Sequence, residues 1–180
     1  MILTDRVAIR ALFDKASVEG IENFTFSFKM GEEVLAEGTK ADLKPYGDAY
    51  YGIVLAKIGA NDFTNNVILS GDLVWEKEFS IKGLAILAET AWADNDKGLA
   101  LAKAMQNFAT IVNNPDATLP HELTPDLSKV EGFKASGIHC GIRKNRSKKD
   151  LALIYSEVKA KAAAVYTTNL VKGAPLAVTK

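Results

Sequence analysis

The chain has 180 residues, 48% of them hydrophobic and 24% charged, with as many acidic as basic side chains. That composition excludes a wholly disordered chain and leaves room for one domain, or one domain and part of another. A single cysteine, Cys140, rules out an intrachain disulfide. With no signal-peptide core and no apolar run near the roughly 18 residues of a membrane span, a cytoplasmic setting is expected.

The neutral total hides a division. Residues 1–116 hold eleven Lys/Arg against seventeen Asp/Glu, a net −6, and residues 117–180 hold eleven against five, a net +6. Such a break points to two segments of different origin, although opposite charges within one fold would also attract and pack.

Residues 4–18 read as an amphipathic helix, with Ile9, Leu12, Phe13 and Ala16 at i, i+3, i+4 and i+7. Thr4 is placed as its N-cap and Gly20 as its stop. Residues 23–30 alternate, with Phe24, Phe26, Phe28 and Met30 on one side, which is the pattern of a half-buried strand. Gly31-Glu32 turns the chain into a hairpin partner over 33–38. Pro45 to Asp48 read as a loop, 49–58 as a longer apolar strand, and 67–70 as a short one. Residues 73–81 alternate again, with Leu73, Trp75, Phe79 and Ile81 on one side and Glu76 and Glu78 on the other. Lys77 interrupts the apolar side and argues for an edge strand, where an inward charge discourages further pairing.

The period then changes. Residues 83–92 and 97–112 read as helices, joined by a turn and cap at Asp94-Asn95-Asp96. In the second helix Leu101, Met105, Phe108 and Val112 form the apolar stripe. These elements predict an α+β fold over residues 1–116, an antiparallel sheet with a layer of helices. Pro115, Pro120 and Pro125 give 117–130 the composition of a linker, and 131–180 read as a β-rich segment with strands at 133–142, 151–155 and 162–166.

Candidate chemistry is sparse. His139 and Cys140 are adjacent on an expected strand, so they face opposite ways and cannot serve as base and nucleophile to each other. His121 lies in the linker, and one Cys with two His is too few ligands for a zinc site. Five positive charges between Arg143 and Lys149 attract anions, but no aromatic platform interleaves them, and nucleic-acid binding is disfavoured. Glu76 and Glu78 share a strand face and read as a solvated pair rather than acid–base partners. Thr167-Thr168-Asn169 reads as a turn. No catalytic, cofactor-binding or metal-ligating residue is assigned, and no cofactor is expected.

One order of motifs stands apart. Gly132-Phe133-Lys134-Ala135, Gly137-Ile138, Gly141-Ile142, Lys149-Asp150-Leu151-Ala152-Leu153, Ala163-Ala164-Val165-Tyr166-Thr167-Thr168-Asn169 and Lys172-Gly173-Ala174-Pro175 follow one another. This order resembles the opening of ornithine acetyltransferase, the bifunctional glutamate N-acetyltransferase family, over about a third of the chain counted from His121. The resemblance implies a part in moving an acetyl group from N-acetylornithine to glutamate in arginine biosynthesis. In that family a self-cleaving precursor exposes a threonine nucleophile, and a Thr-Gly pair contributes to the oxyanion hole. No Thr-Gly pair occurs in this sequence, and no threonine stands in the family's cleavage context. The resemblance therefore gives Gly132, Gly141, Asp150, Asn169 and Pro175 a structural role only.

The leading expectation is a partial or fused ornithine acetyltransferase, inactive as this chain alone, whose partner is the remaining portion of such an enzyme or a second copy of itself. The alternative is a non-catalytic binding or oligomerisation module. A third reading notes that residues 4–20 are similar to the first helix of nuclear-transport-factor-2-like proteins.

Overall fold

A computed structural model describes residues 6–71, 76–114, 117–121, 155–156 and 158–162. They fall into two compact units, the first reaching Leu84 and the second starting at Ala85. The linker and following segment expected from 117 onward lie largely outside the described residues. The composition is α+β, with antiparallel sheets and a small number of helices.

The described residues of the first unit form two antiparallel sheets. One has the order β1-β5-β4, formed by β1 (Arg6–Asp14), β5 (Tyr50–Gly59) and β4 (Lys44–Tyr46). The other has the order β3-β2-β6-β7, from β2 (Thr25–Met30), β3 (Glu33–Thr39), β6 (Val67–Gly71) and β7 (Glu76–Phe79). Phenylalanine rings join the two inner faces. Phe13 of β1 meets Phe24 edge-on at 5.5 Å between centroids and Phe26 of β2 at 5.6 Å. Phe26 in turn meets Phe28 at 6.0 Å. The alternation of β2 thus builds a core: Phe24, Phe26 and Phe28 are buried, and Lys29 on the other face is exposed.

The expected hairpin is present. β2 and β3 pair from Thr25↔Thr39 to Met30↔Glu33, and Gly31 takes φ +58°, the left-handed region that glycine reaches without strain. Gly71 answers a different need. A Cβ there would lie 2.3 Å from the carbonyl oxygen of Thr25, so β6 approaches β2 through glycine's missing side chain.

The helix expected over 4–18 is not formed. Residues Arg6–Asp14 are a strand paired antiparallel to β5, and only α1 (Lys15–Glu19) is helical. The register shifts between Val7 and Ile9, which puts Val7 and Ala8 both inside. β-Branched Val7 and Ile9 suit the pleated surface of a sheet, and a bulged strand with Leu12 half covered on its outer face mimics a helical spacing. Asp14 caps α1, its Oδ1 accepting from Ser17 N at 2.8 Å and from Ser17 Oγ at 2.9 Å. The likeness to the first helix of nuclear-transport-factor-2-like proteins falls with the helix.

Two smaller boundaries move. Pro45 and Tyr46, expected in a loop, belong to Lys44–Tyr46, which pairs with β5, and Gly47 turns behind it at φ +62°. Ile81, expected to end a strand, instead opens α2 (Ile81–Ala91), because Ser80 Oγ accepts from Gly83 N at 3.0 Å and starts the helix. Among the described residues β7 is an edge strand, as the interior lysine implied. Lys77 pairs with Leu69 and shares the face of Val67 and Phe79.

The second unit is helical in its described parts. The helix α3 (Asp96–Ile111) is capped by Asn95, whose Oδ1 accepts from Gly98 N at 2.9 Å. Leu101 and Phe108 of the expected stripe are buried and Met105 and Val112 only half so, because burial extends round Ala102, Ala104, Gln106, Asn107, Ala109 and Ile111. Residues 155–156 and 158–162 are helical, which corrects the strands expected at 151–155 and 162–166 where Tyr155 and Ala162 are concerned. The buried set Tyr155, Val158 and Ala162 has helical spacing, and Lys159, Ala160 and Lys161 favour a helix. The Tyr155 ring lies 4.9 Å from that of Phe108. Among the described residues no helix is long and apolar enough to cross a membrane.

Candidate functional site

The densest polar constellation among the described residues lies in the second unit, on α2, α3 and residue 121. An apolar helix rarely buries amides, yet α3 buries two in succession, Gln106 at 6% exposure and Asn107 at 1%. Each must find partners or lose its solvation uncompensated. Asn107 finds both in one residue. Its Oδ1 accepts from the backbone N–H of His121 at 3.0 Å, and its Nδ2 donates to the carbonyl of His121 at 3.1 Å. The side-chain amide thus takes the place of a neighbouring strand's peptide group.

Gln106 turns the other way. Its Nε2 donates to Glu89 Oε2 at 2.7 Å and to the carbonyl of Ala85 at 3.3 Å. Its Oε1 lies 3.1 Å from His121 Nε2, and that same nitrogen is 3.5 Å from Glu89 Oε2. The carboxylate and the imidazole are partly open to solvent, with side-chain exposures of 32% and 19%. These donors and acceptors are engaged with one another and with backbone, an arrangement suited to holding a chain. Thr110 Oγ1 donates to the carbonyl of Gln106 at 2.8 Å, one turn along α3.

Sequence reasoning placed His121 in a linker and did not single out Glu89, Gln106 or Asn107. A signal was available: two adjacent amides inside the apolar stripe of α3, between Met105 and Phe108, need buried partners if the helix is covered. Glu76 and Glu78 do share one exposed face of β7, and Asn66 Nδ2 donates a hydrogen bond to Glu78 Oε1. His139, Cys140, the basic run 143–149 and the turn 167–169 lie outside the described residues.

In the first unit the side chains above Gly52 form a surface arrangement of their own. Arg10 and Leu12 lean across the missing side chain, and the Arg10 guanidinium stacks 4.7 Å from the Tyr46 ring centroid. Beside α1, Tyr51 donates from its hydroxyl to Glu19 Oε1 at 2.9 Å, and this bond to the carboxylate holds the phenol above its ordinary range.

Comparison with known proteins bears on the end of the chain. Residues 134–180 match the ArgJ family. Similar curated proteins are the arginine biosynthesis bifunctional protein ArgJ of Bacillus subtilis, 49% identical over 59 residues, and that of Staphylococcus aureus strain COL, 54% over 55. The ArgJ of Caldanaerobacter subterraneus is 63% identical over 46 residues. The C-terminal third of the chain is ornithine-acetyltransferase-like. The three matches cover 33%, 31% and 26% of this chain and 14%, 13% and 11% of those relatives, so the likeness is to a small part of each. No solved structure matches. The helical residues 155–156 and 158–162 lie within the ornithine-acetyltransferase-like segment, and Val158 and Ala162 supply two of its buried side chains.

Proposed function

We propose that the chain contributes a scaffold segment to an ornithine acetyltransferase, acting in acetyl transfer from N-acetylornithine to glutamate, and that residues 1–180 alone carry no such activity. The observation that carries this reading is the 49% to 63% identity of the C-terminal third to ArgJ proteins. The restriction to a scaffold rests on chemistry. Acyl transfer of this type needs an activated hydroxyl and oxyanion donors, and no Thr-Gly pair is present in the sequence. The partner is then the rest of such an enzyme, which supplies both.

Two measurements test this reading. Purified 1–180 is incubated with N-acetylornithine and labelled glutamate, alone and with the separately expressed remainder of the Bacillus subtilis ArgJ protein. No exchange by the chain alone, and exchange that appears on mixing, is the expected result. Turnover by residues 1–180 alone overturns the scaffold reading. Absence of both activity and association on mixing overturns the partnership.

A second reading has its own support. The described residues up to Leu84 form a compact unit with a phenylalanine core, as a non-catalytic binding or oligomerisation module requires. An N-terminal unit that binds a partner protein without effect on acetyl exchange would favour it.

A further inference from the structure

The proton on His121 follows from the partners around it. Gln106 Nε2 lies against two groups that only accept, the Glu89 carboxylate at 2.7 Å and the Ala85 carbonyl at 3.3 Å. The amide nitrogen therefore faces them, and the amide oxygen faces His121 Nε2 at 3.1 Å. That oxygen only accepts as well. The second neighbour of the same ring nitrogen, Glu89 Oε2 at 3.5 Å, is again an acceptor. A ring nitrogen facing two acceptors must carry hydrogen, so the neutral imidazole has its proton on Nε2 and its lone pair on Nδ1. Asn107 fixes the backbone of the same residue by the same logic, its oxygen against an N–H and its nitrogen against a carbonyl.

We propose that Glu89, Gln106 and Asn107 form a clasp that ties the chain at His121 to α2 and α3 and locks its imidazole in the Nε2–H tautomer. The backbone half of the clasp is indifferent to which residue stands at 121, since only the peptide N–H and C=O are gripped. The side-chain half selects a donor at the reach of Nε2. Together they fix residue 121, thirteen positions before the matched stretch begins at 134. Glu89, Gln106 and Asn107 are positioning residues, and this inference stands whether or not the acetyltransferase reading holds.

The test needs no enzymatic activity. On the full chain at about pH 8.5, above the ordinary imidazole range, long-range nitrogen–proton correlation of His121 is expected to show the Nε2–H pattern. The Nδ1–H pattern, or the same mixture of tautomers as the urea-unfolded chain shows at this pH, overturns the tautomer lock. Gln106→Leu is expected to relax the tautomer ratio to that of the urea-unfolded chain, where a free imidazole already favours Nε2–H, and His121→Gln, which keeps a donor, to preserve the backbone grip. In Asn107→Ala the amide of His121 is expected to exchange faster, on the order of tenfold beyond any change in the amides of α3. Equal acceleration at His121 and throughout α3 shows a merely structural asparagine and overturns the clasp. If Asn107→Ala does not fold, the tautomer measurement on the unaltered chain still decides.

Discussion

The two compact units bury different chemistry. The first sets a cluster of rings, Phe13, Phe24, Phe26 and Phe28, among buried aliphatic side chains, and such contacts are broad and weakly directional. The second buries two amides on a helix whose other buried side chains are all apolar, and their stabilisation depends on residues distant in sequence standing within about 3 Å. A ring core tolerates small shifts, since each contact is minor and many remain. A buried amide loses its bond with a shift of half an ångström or so and then costs more than an apolar side chain in its place. Small displacements are therefore absorbed in the first unit and felt in the second.

This contrast can be broken by substitution. The largest effect is expected from Phe28→Ala, which removes a fully buried ring and destabilises the chain by about 3–5 kcal/mol in urea unfolding. A loss below about 1 kcal/mol would mean that neighbouring rings refill the space. Asn107→Ala comes next, at about 2–3 kcal/mol, because it deletes two hydrogen bonds and leaves the backbone groups of His121 without them. Asn107→Asp sharpens the comparison, since it keeps the acceptor for His121 N–H and sets a carboxylate against the carbonyl.

A smaller effect depends on pH. Ser17, through its backbone N–H and its hydroxyl, holds the Asp14 carboxyl below its ordinary value. A depressed carboxyl pKa contributes stability above the unfolded-state value of about 3.9, and the contribution is lost as pH falls through the lower folded value. Thermal unfolding of Asp14→Ala and the unaltered chain should therefore differ at pH 6 and converge towards about pH 2. A constant gap would assign the effect to chain geometry. The smallest change is expected at Ser27, whose Oγ is buried with no hydrogen-bond partner among the described residues. Ser27→Ala should be neutral or slightly stabilising, the opposite of Asn107→Ala although both delete a buried polar group.

The legible parts of the fold were those where one physical signal dominated. The β2–β3 hairpin was readable because four apolar residues alternate up to a glycine turn, and β7 because a lysine interrupts an apolar face. The α3 boundary was readable from Asn95 and the change of period. The first strand was misread because its bulge at Val7–Ile9 and the partial cover of Leu12 erase the alternation, leaving a spacing that fits 3.6 as well as 2. At Tyr155 and Ala162, apolar runs of strand length concealed a helical spacing that becomes visible only once Val158 is known to be buried between them. The clasp was not legible because its members come from three separate places in the chain, and no local pattern relates Glu89 to His121. The family likeness lay in the other direction: it was readable from motif order alone, while most of the residues that carry it are outside the described structure.

The lysine on β7 has a consequence for the behaviour of concentrated solutions. A second molecule adding a strand beside β7 would have to accommodate the Lys77 side chain, which stands on the face of Val67 and Phe79. Growth of the sheet from that side into fibrils is thereby discouraged at its first step.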